Sequence, residues 1–450
     1  MNYCKLYRLL SLIFLLIITS CDNSKDEDED NFTVSLEIHH FDTSYSLVEI
    51  EWKLERSDNV IVQDLLVYRT IVSDNEYTSP KLIANLPSNE ISFTDNDVPY
   101  ESDITYTVKI NYRIDKKLSD GEYYETLVLE AKPQLFSRDL VKFNKVPLQV
   151  KKDPVYNSIF HILDKSGTSQ LLKYNSNLNL LSTIGLFEES LYLNNVFHII
   201  NNEYLYVGNT KGEIIVVDIN NYTIKDNYQL DIVDKLRSFS IDKDRIYYMD
   251  DHILHYFDMN TKTSINLGWG YFPSRYMETL SHNKTLFLGG GSYNTIVELS
   301  KDNCVDNRNC WPEILVQSES SAKNYHSDPF ILAWNADRTK FISSYFGDVF
   351  DITNMSKKAS LNEITGKRYF QFVFNDNGHI YASVQGEKLI QVFNSNYELV
   401  DSIQTKLYPL FPMPYSNGLH SIGSYNPVDY WGYYYGYEFN FNQRCAIETF

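Results

Sequence analysis

The 450-residue chain is poor in cysteine and short of positive charge. Its 40 lysines and arginines stand against 59 aspartates and glutamates, which gives a formal net charge of -19. A chain this acidic repels the phosphate backbone of nucleic acids, so nucleic-acid binding is excluded from the expected functions. A basic or a neutral partner is favoured instead.

Complete catalytic motifs are also missing from the sequence. There is no Gly-x-Ser-x-Gly nucleophile elbow, and the glycine-rich stretch LGGGSYN (288–294) lacks the lysine and following helix of a phosphate loop. The ten histidines are scattered apart from adjacent His39 and His40, of which strand alternation would place one inside and one outside. The fragments DKD and NDNG offer too few spaced oxygens for a calcium loop. No metal site and no cofactor are predicted.

The first 20 residues have the features of an export signal. Lys5 and Arg8 precede an apolar run from Leu9 to Ile18, about ten residues where a membrane-spanning helix needs roughly twenty. The tetrapeptide Ile18-Thr19-Ser20-Cys21 resembles the bacterial lipobox. The resemblance implies that Cys21 becomes the lipidated first residue, and two or three acyl chains together give durable anchoring. The alternative is an ordinary secretory signal with an incidental cysteine.

Residues 21–32 form an acidic tether, because repelling carboxylates keep such a run extended. The run also resembles the short acidic signal of surface lipoproteins of the Bacteroidota. That resemblance implies an outer-membrane, lipid-anchored protein facing the cell exterior. Asp22 leaves an alternative open, since aspartate at this position tends to hold a lipoprotein at the inner membrane in enteric bacteria.

The five cysteines are few for this length, and Cys4 is lost with the signal. Cys304 and Cys310 bracket the polar stretch CVDNRNC, which in an oxidising compartment predicts a local disulfide. Zinc is the weaker interpretation, because two thiolates without further ligands nearby do not make a four-ligand site. Cys445 is left over and is expected to be buried and inert.

Residues 33–133 show the alternating strands of a small β-sandwich. The segment VEIEWKL places Ile50, Trp52 and Leu54 on one face of a strand. The order and spacing of the strands resemble a fibronectin type III domain, a sandwich of the immunoglobulin-like kind. The resemblance makes Trp52 the core tryptophan of the second strand and Tyr106 the tyrosine of the corner before the sixth. Both are packing residues, so they predict fold and no chemistry.

Residues 134–450 contain an internal repeat, in which a strand opened by a polar turn is followed by a strand that ends in one. The closing polar turn recurs in steps of 43, 40, 42, 51, 43 and 48 residues. The equivalent positions are Asn175, Asp218, Asp258, Ser300, Asp351, Asn394 and Asn442. A four-stranded unit with a period in the forties is typical of a β-propeller blade, whose sheet buries its faces only against neighbouring blades.

The repeats resemble the divergent WD40-like and quinoprotein-like propellers of exported bacterial proteins, although they lack the Trp-Asp dipeptide of true WD40 repeats. The predicted fold is therefore all-β, with an N-terminal sandwich followed by a seven-bladed propeller. Six or eight blades remain alternatives because the last repeat is irregular. A pair of antiparallel sandwiches is the remaining alternative.

Aromatic residues are concentrated in one set of predicted connections, those after the second and fourth strands of each blade. These connections include GWGYFPSRYME (268–278), SYFGD (344–348), LYPLFPMPYSNG (407–418) and SYNPVDYWGYYYGY (424–437). The other set is rich in Asn, Asp, Lys and Ser, with Tyr222, Trp311 and Tyr397 as exceptions. One propeller face should thus be aromatic, and such a patch commonly marks a binding site. The alternative is that these loops pack their own tyrosines together over the channel. The candidate ligand contacts are Trp269, Tyr271, Tyr345, Tyr430, Trp431 and Tyr433, with Arg275, His326 and Asp429 as nearby polar groups.

Three functions fit these features. The first is a surface lipoprotein that captures a glycan or peptide beside an outer-membrane transporter, a role suggested by resemblance to Bacteroidota nutrient-uptake lipoproteins. The second is a glycoside hydrolase or polysaccharide lyase that uses Asp348, His326 and Asp429 as acid, base or metal ligands. The third is a protein-protein docking platform within an envelope complex.

Overall fold

The computed structural model describes most of the chain, in separate stretches. These are residues 32–43, 47–72, 79–101, 103–118, 121–137, 141–143, 145–153, 155–156, 158–165, 168–188, 197–200, 203–250, 253–268, 274–289, 294–298, 313–317, 331–416, 418–429 and 445–450. They are mostly β-strand, so the predicted all-β class is confirmed. Among the described residues no helix is long and apolar enough to cross a membrane. The chain divides into two compact units between residues 138 and 139.

The first unit is a sandwich of two antiparallel sheets. Its strands are β1 (Val34–Thr43), β2 (Val48–Arg56), β3 (Val60–Ile71), β4 (Lys81–Leu86), β5 (Ser92–Asp95), β6 (Asp103–Leu118), β7 (Gly121–Glu130) and β8 (Gln134–Ser137). One sheet has the order β1-β2-β5 and the other the order β4-β3-β6-β7. β8 pairs with Asp103–Tyr106 of β6, on the same edge as β7 and in the part that β7 does not cover.

Strand alternation decides which side chains enter the sandwich core. In β2, Val48, Ile50 and Trp52 are buried while the residues between them are exposed. The Trp52 indole donates to the Glu90 carbonyl at 3.0 Å, which satisfies its buried N–H. The expected split of His39 and His40 is wrong, because both are exposed. A register shift between Ile38 and His40 breaks the alternation there.

Tyr106 lies within β6 and is fully buried. Its hydroxyl donates to the Asp95 carboxylate at 2.7 Å, and the same carboxylate oxygen accepts from Arg69 at 2.7 Å. Burial, and then the neighbouring Asp95, raise the pKa of Tyr106 far above its ordinary value. The phenol is therefore a permanent donor that joins β6 of one sheet to the end of β5 in the other.

The described residues of the second unit form seven four-stranded antiparallel sheets, six of them in chain order. The first three comprise β10 (Pro147–Lys152), β11 (Ile159–Asp164), β12 (Ser169–Asn175) and β13 (Leu180–Phe187), then β14 (Phe197–Ile200), β15 (Tyr204–Gly208), β16 (Glu213–Asp218) and β17 (Thr223–Gln229), then β18 (Leu236–Asp242), β19 (Arg245–Asp250), β20 (Ile253–Asp258) and β21 (Thr263–Asn266).

The remaining sheets continue the same pattern until the last one. They comprise β22 (Ser274–Ser281), β23 (Lys284–Gly289), β24 (Asn294–Glu298) and β25 (Glu313–Gln317), then β26 (Leu332–Trp334), β27 (Lys340–Ser343), β28 (Asp348–Asp351) and β29 (Lys357–Ser360), then β30 (Tyr369–Phe374), β31 (Ile380–Val384), β32 (Leu389–Phe393) and β33 (Leu399–Gln404), and finally β34 (Tyr408–Tyr415), β35 (Gly418–Ser424), β36 (Cys445–Thr449) and β9 (Val141–Phe143). A short helix, α1 (Leu361–Thr365), follows β29.

At five of the seven junctions between neighbouring sheets the described first strands pack against one another, as they do in a β-propeller. β14 contacts β18, β18 contacts β22, β26 contacts β30 and β30 contacts β34. β34 of the last sheet contacts β10 of the first, and β9 completes the last sheet as its outer strand. His420 Nε2 of the last sheet also donates to the Ser176 carbonyl of the first at 2.7 Å. The ring is thereby closed, and the predicted propeller is confirmed.

The repeated Asn and Asp residues begin the turns between third and fourth strands. Each accepts a backbone N–H bond from the residue two places on, and four of the five accept a second one from three or four places on, at 2.8–3.1 Å. This side-chain mimicry of a backbone turn explains why short polar acceptors recur. The described members are Asn175, Asp218, Asp258, Asp351 and Asn394. Ser300 and Asn442 lie outside the described residues.

These turns, together with those after the first strands, form what we term the turn face. Every described turn between third and fourth strands also places one residue in the left-handed region, at φ between 54° and 68°. These residues are Leu178, Tyr222, Lys262, Met355 and Tyr397. The Tyr222 ring stacks on His161 of the preceding sheet, with ring centroids 6.0 Å apart. The Tyr397 ring likewise lies 5.6 Å from the ammonium of Lys340, which belongs to the sheet before that of Tyr397. Two of the three aromatic exceptions are therefore contacts between sheets, while Trp311 is outside the described residues.

Two stretches predicted as aromatic loops contain strand residues. LYPLFPMPYSNG (407–418) forms β34, in which Leu410, Phe411 and Met413 are buried. Its prolines are tolerated because β34 pairs only with β35, so a missing N–H can face the open edge. In GWGYFPSRYME (268–278), the last five residues belong to β22, and Tyr276 and Met277 are buried.

Candidate functional site

The connections after second and fourth strands form the opposite face of the second unit, which we term the loop face. Its best described part lies around the turn Ser344–Gly347 between β27 and β28. Ser344 has φ 127°, a conformation that side chains rarely adopt, and Gly347 has φ 72°. A Cβ added to Gly347 would come within 2.9 Å of Leu361, so glycine is required there. This strained turn holds Tyr345 and Phe346 half-buried, with ring centroids 4.2 Å apart.

The next connection places a guanidinium over these rings. Gly366 caps the C-terminus of α1 in the left-handed conformation, and its N–H donates to the Asn362 carbonyl at 2.7 Å. The Tyr369 N–H then bonds the Tyr345 carbonyl at 2.8 Å, which ties the loop to the turn. The Arg368 Cζ consequently lies 5.5 Å from the Tyr345 ring centroid and 5.9 Å from that of Phe346.

The Arg368 guanidinium has no hydrogen-bond or ion-pair partner among the described residues, and its side chain is exposed. Five N–H donors of fixed geometry are thus directed to solvent, while the rings below hold the guanidinium plane in place. A planar donor in this position suits a carboxylate, a carbonyl or sugar hydroxyl oxygens.

Arg368 also lies on the rim of an open groove formed by residues 366–368, 385–387 and 427–429, which we term the Arg368 groove. Across it, the Lys367 ammonium pairs with the Glu387 carboxylate at 2.6 Å. The Gln385 side-chain amide donates to Asp429 Oδ1 at 3.1 Å. The groove therefore combines one unpaired cation with a neutralised pair and an amide-carboxylate pair, so Arg368 is its available charged donor.

The structure brings two of the predicted ligand contacts to this region. Tyr345 lies beneath Arg368, and Asp429 is an exposed residue of the groove beside it. Arg275 lies in β22, and its side chain is outside the described set. The other predicted site residues also lie outside the described residues, namely Cys21, Trp269, Tyr271, Cys304, Cys310, His326, Tyr430, Trp431 and Tyr433. Cys445 is buried, and burial raises the pKa of its thiol to about 12.

Arg368, Gln385 and Phe346 were not singled out from the sequence. Phe346 stands beside Tyr345 in the aromatic stretch, so pattern alone could have included it. The available signal for Arg368 was the segment TGKRYF, in which a glycine ends a helix just before two cations. Nothing in the sequence near Gln385 indicates that it would reach Asp429.

Among the described residues, the enzymatic candidate Asp348 does not line the Arg368 groove. Asp348, a candidate acid or base, is buried and has Ser344 Oγ at 3.2 Å and Lys357 Nζ at 3.7 Å. Burial raises the pKa of Asp348, and the carboxyl is enclosed rather than presented to a ligand. Within the described residues, no three His, Cys, Asp or Glu side chains are grouped to hold a metal ion.

No protein-family model matches this chain, and no curated protein matches it in sequence. Solved structures similar to it include the RRP9 WD40 repeats, with 10% identity, coverage of 70% of this chain and 96% of that one, and a TM-score of 0.47. The Myceliophteria thermophila Cps50 (Swd1) β-propeller domain has 8% identity, coverage of 68% and 99%, and a TM-score of 0.49. U3-55K has 9% identity, coverage of 69% and 96%, and a TM-score of 0.45. Likeness at this level is no guide to ligand or activity.

Proposed function

We propose that this protein is a lipid-anchored surface lipoprotein of the outer membrane that captures a glycan or peptide ligand through the loop face. The lipobox at Cys21 and the acidic tether support the anchor. The strand orders β1-β2-β5 and β4-β3-β6-β7 support a fibronectin type III-like sandwich. The seven four-stranded sheets support a seven-bladed propeller as the ligand-binding unit.

One observation carries the binding role: a guanidinium with no described partner lies over two half-buried rings at the edge of a groove. An arginine that only stabilised the fold would be expected to pair with a carboxylate, as Lys367 does next to it. Rings and planar donors together suit a sugar face with its hydroxyls, or a peptide carbonyl with a neighbouring side chain. Both carboxylates of the described groove are hydrogen-bonded, Glu387 to Lys367 and Asp429 to Gln385, which favours capture over turnover.

Binding is tested by probing glycan and peptide arrays with residues 31–450, which retain both compact units. Arg368→Ala should weaken any hit roughly 10- to 100-fold, because a hydrogen bond to a charged group contributes about 1.5–3 kcal/mol. Arg245→Ala is the matched control, since Arg245 lies 5.2 Å over the Tyr256 ring on the turn face. Equal affinity of both variants would contradict the proposed site, and release of reducing ends or unsaturated products would favour an enzyme.

The anchor is tested separately by growth with a clickable fatty acid. We expect the wild-type chain to take up label and Cys21→Ala to take up none and to be mislocalised, because the acylated sulfur is lost. Unlabelled wild-type protein would exclude the lipid anchor without bearing on the Arg368 groove. Mass mapping without reduction similarly tests the disulfide predicted between Cys304 and Cys310.

A further inference from the structure

The lining of the Arg368 groove favours one chemical class of ligand, and assigning that class rests on the binding role proposed above. The groove has a volume of about 520 Å³, within the range of pockets that hold ligand-sized molecules. Its walls are residues 366–368 between α1 and β30, residues 385–387 between β31 and β32, and residues 427–429 after β35. The described lining therefore consists of turns and loops.

This lining suits a sugar better than a peptide. An extended peptide commonly adds to an open strand edge or places its side chains in apolar pockets. None of the described lining residues belongs to a strand. Only Pro427 and Val428 among them have apolar side chains, and Val428 is buried. The groove instead presents polar groups, which match a ligand rich in hydroxyls.

Arg368 supplies the positive charge that a ligand can neutralise. The other cation of the groove, Lys367, pairs with Glu387 at 2.6 Å. Arg368 has no ion-pair partner in the described part of the chain, and its Cζ lies 5.5 Å from the Tyr345 ring centroid and 5.9 Å from that of Phe346. A planar guanidinium held over rings matches a carboxylate through two parallel N–H···O bonds.

Gln385 and Asp429 form a second polar pair, which is suited to hydroxyl groups. Gln385 Nε2 donates one N–H to Asp429 Oδ1 at 3.1 Å. The amide group has a second N–H, and each carboxylate oxygen can accept more than one hydrogen bond. An amide donor beside a carboxylate acceptor matches neighbouring hydroxyls, because each hydroxyl both donates and accepts. The two cations and two carboxylates of the groove sum to zero, so the positions of these groups, and not net charge, select the ligand.

We infer that the Arg368 groove binds a glycan through a uronate, a sugar whose C6 is a carboxylate. The carboxylate pairs with the Arg368 guanidinium, and ring hydroxyls bond Gln385 and Asp429. A neutral sugar lacks the anion for Arg368, and an acidic peptide without hydroxyls lacks the partners for Gln385 and Asp429.

Calorimetric titration of residues 31–450 with trimers of galacturonate and of glucuronate tests this assignment, with their methyl esters as matched controls. Esterification keeps the sugar skeleton and the ring hydroxyls and removes the negative charge. We expect at least one free acid to bind roughly 10- to 100-fold more tightly than its ester, because a hydrogen bond between charged groups is lost in the ester. Glycyl-glutamate, which has carboxylates and no hydroxyl, should not bind.

Two variants separate the contributions of the carboxylate and the hydroxyls. Arg368→Lys keeps the charge and loses the planar fork, so it should weaken binding of the acid roughly 5- to 10-fold and leave binding of the ester nearly unchanged. Gln385→Leu should weaken both ligands by a similar factor, roughly 2- to 10-fold, because it removes a partner of the hydroxyls. Arg245→Ala on the turn face is again the control and should change neither.

Equal binding of acids and esters, or failure of both acids to bind, would overturn the uronate assignment, and this comparison needs no variant to fold. If the acids fail while a neutral glycan or a peptide from the arrays binds in an Arg368-dependent way, the uronate assignment is wrong and the proposed binding role stands. If the acids fail and no array ligand depends on Arg368, both are wrong.

Discussion

The two faces of the second unit are built on different plans. On the turn face, the five described turns between third and fourth strands repeat one design, an Asn or Asp acceptor followed by a left-handed residue. On the loop face, the connections differ in length and content from sheet to sheet, and one of them includes α1. Repetition on the turn face maintains contacts between sheets. The loop face carries Arg368, whose guanidinium has no ion-pair partner in the described part of the chain. The comparison indicates that one repeated turn design belongs to the turn face, whereas the connections of the loop face vary and can carry a binding site.

Tyr222→Ala should produce the largest effect, because it removes a turn-face ring buried between two sheets. The ring is 8% exposed, stacks on His161 and lies 5.3 Å below Lys173. We expect a loss of about 3–5 kcal/mol in the free energy of unfolding, measured with urea. Tyr222→Phe is the control and should be neutral or stabilising, because the Tyr222 hydroxyl is buried without a partner in the described residues. A loss below about 1 kcal/mol for the alanine variant would contradict a stabilising role of this ring between the two sheets.

Asp153 should make the stability of the turn face depend on pH. Its buried carboxylate lies 2.9 Å from His161 Nε2 and accepts the Val155 and Tyr156 N–H groups. Burial alone would raise the pKa of Asp153, but these hydrogen bonds outweigh it and lower the pKa. A lowered folded pKa means that the stabilisation is present above the unfolded value, near pH 4, and is lost as the pH falls through the folded value.

Asp153→Asn should therefore lower the free energy of unfolding by about 1–3 kcal/mol at neutral pH. The difference in this free energy between the variant and the wild type should narrow below about pH 4. Urea unfolding at several pH values measures it, with Asp376→Asn as an exposed control. If the difference in unfolding free energy stays constant from pH 7 to pH 3, the charge of Asp153 does not stabilise the contact with His161.

A smaller effect should distinguish the Asp turns from the Asn turns. Backbone N–H bonds from Asn221, Thr261 and Thr353 lower the pKa of Asp218, Asp258 and Asp351 respectively. Their stabilisation is likewise present above about pH 4 and lost as the pH falls further. Each Asp→Asn change should cost no more than about 1 kcal/mol at pH 7, because these exposed groups are screened by solvent.

The Asn turns provide the internal comparison. Asn175→Asp and Asn394→Asp should make the contribution of these two turns to stability depend on pH. The same N–H groups would then donate to a carboxylate, which is protonated in acid. Thermal melting at pH 7 and pH 3 measures both series. Identical pH dependence of all the variants would contradict the assignment of these side chains as turn acceptors.

The turn face could be predicted from sequence because its geometry demands specific side chains. Asn175, Asp218 and Asp258 recur at steps of 43 and 40 residues, since a short acceptor must cap the same turn in each of these sheets. β34 was misread because Pro409, Pro412 and Pro414 normally exclude a strand, and only its position at a sheet edge makes them acceptable.

The candidate site was predictable only in part. Tyr345 and Asp429 lie in stretches whose aromatic content differs from the other connections. Arg368 becomes informative only when its distance from the Tyr345 ring and its lack of a described partner are known, and no local pattern encodes either property. A site built from the connections of several sheets depends on how those sheets are arranged around the propeller, which no local sequence pattern encodes.

The central claim, that the loop face and not the turn face binds ligand, is tested most directly by hydrogen-deuterium exchange of residues 31–450 with and without the array hit. We predict slower exchange in peptides covering 345–347, 366–369 and 385–387, and unchanged exchange in those covering 218–222 and 258–262. Protection confined to the turn-face peptides, with the loop-face peptides unchanged, would contradict the account.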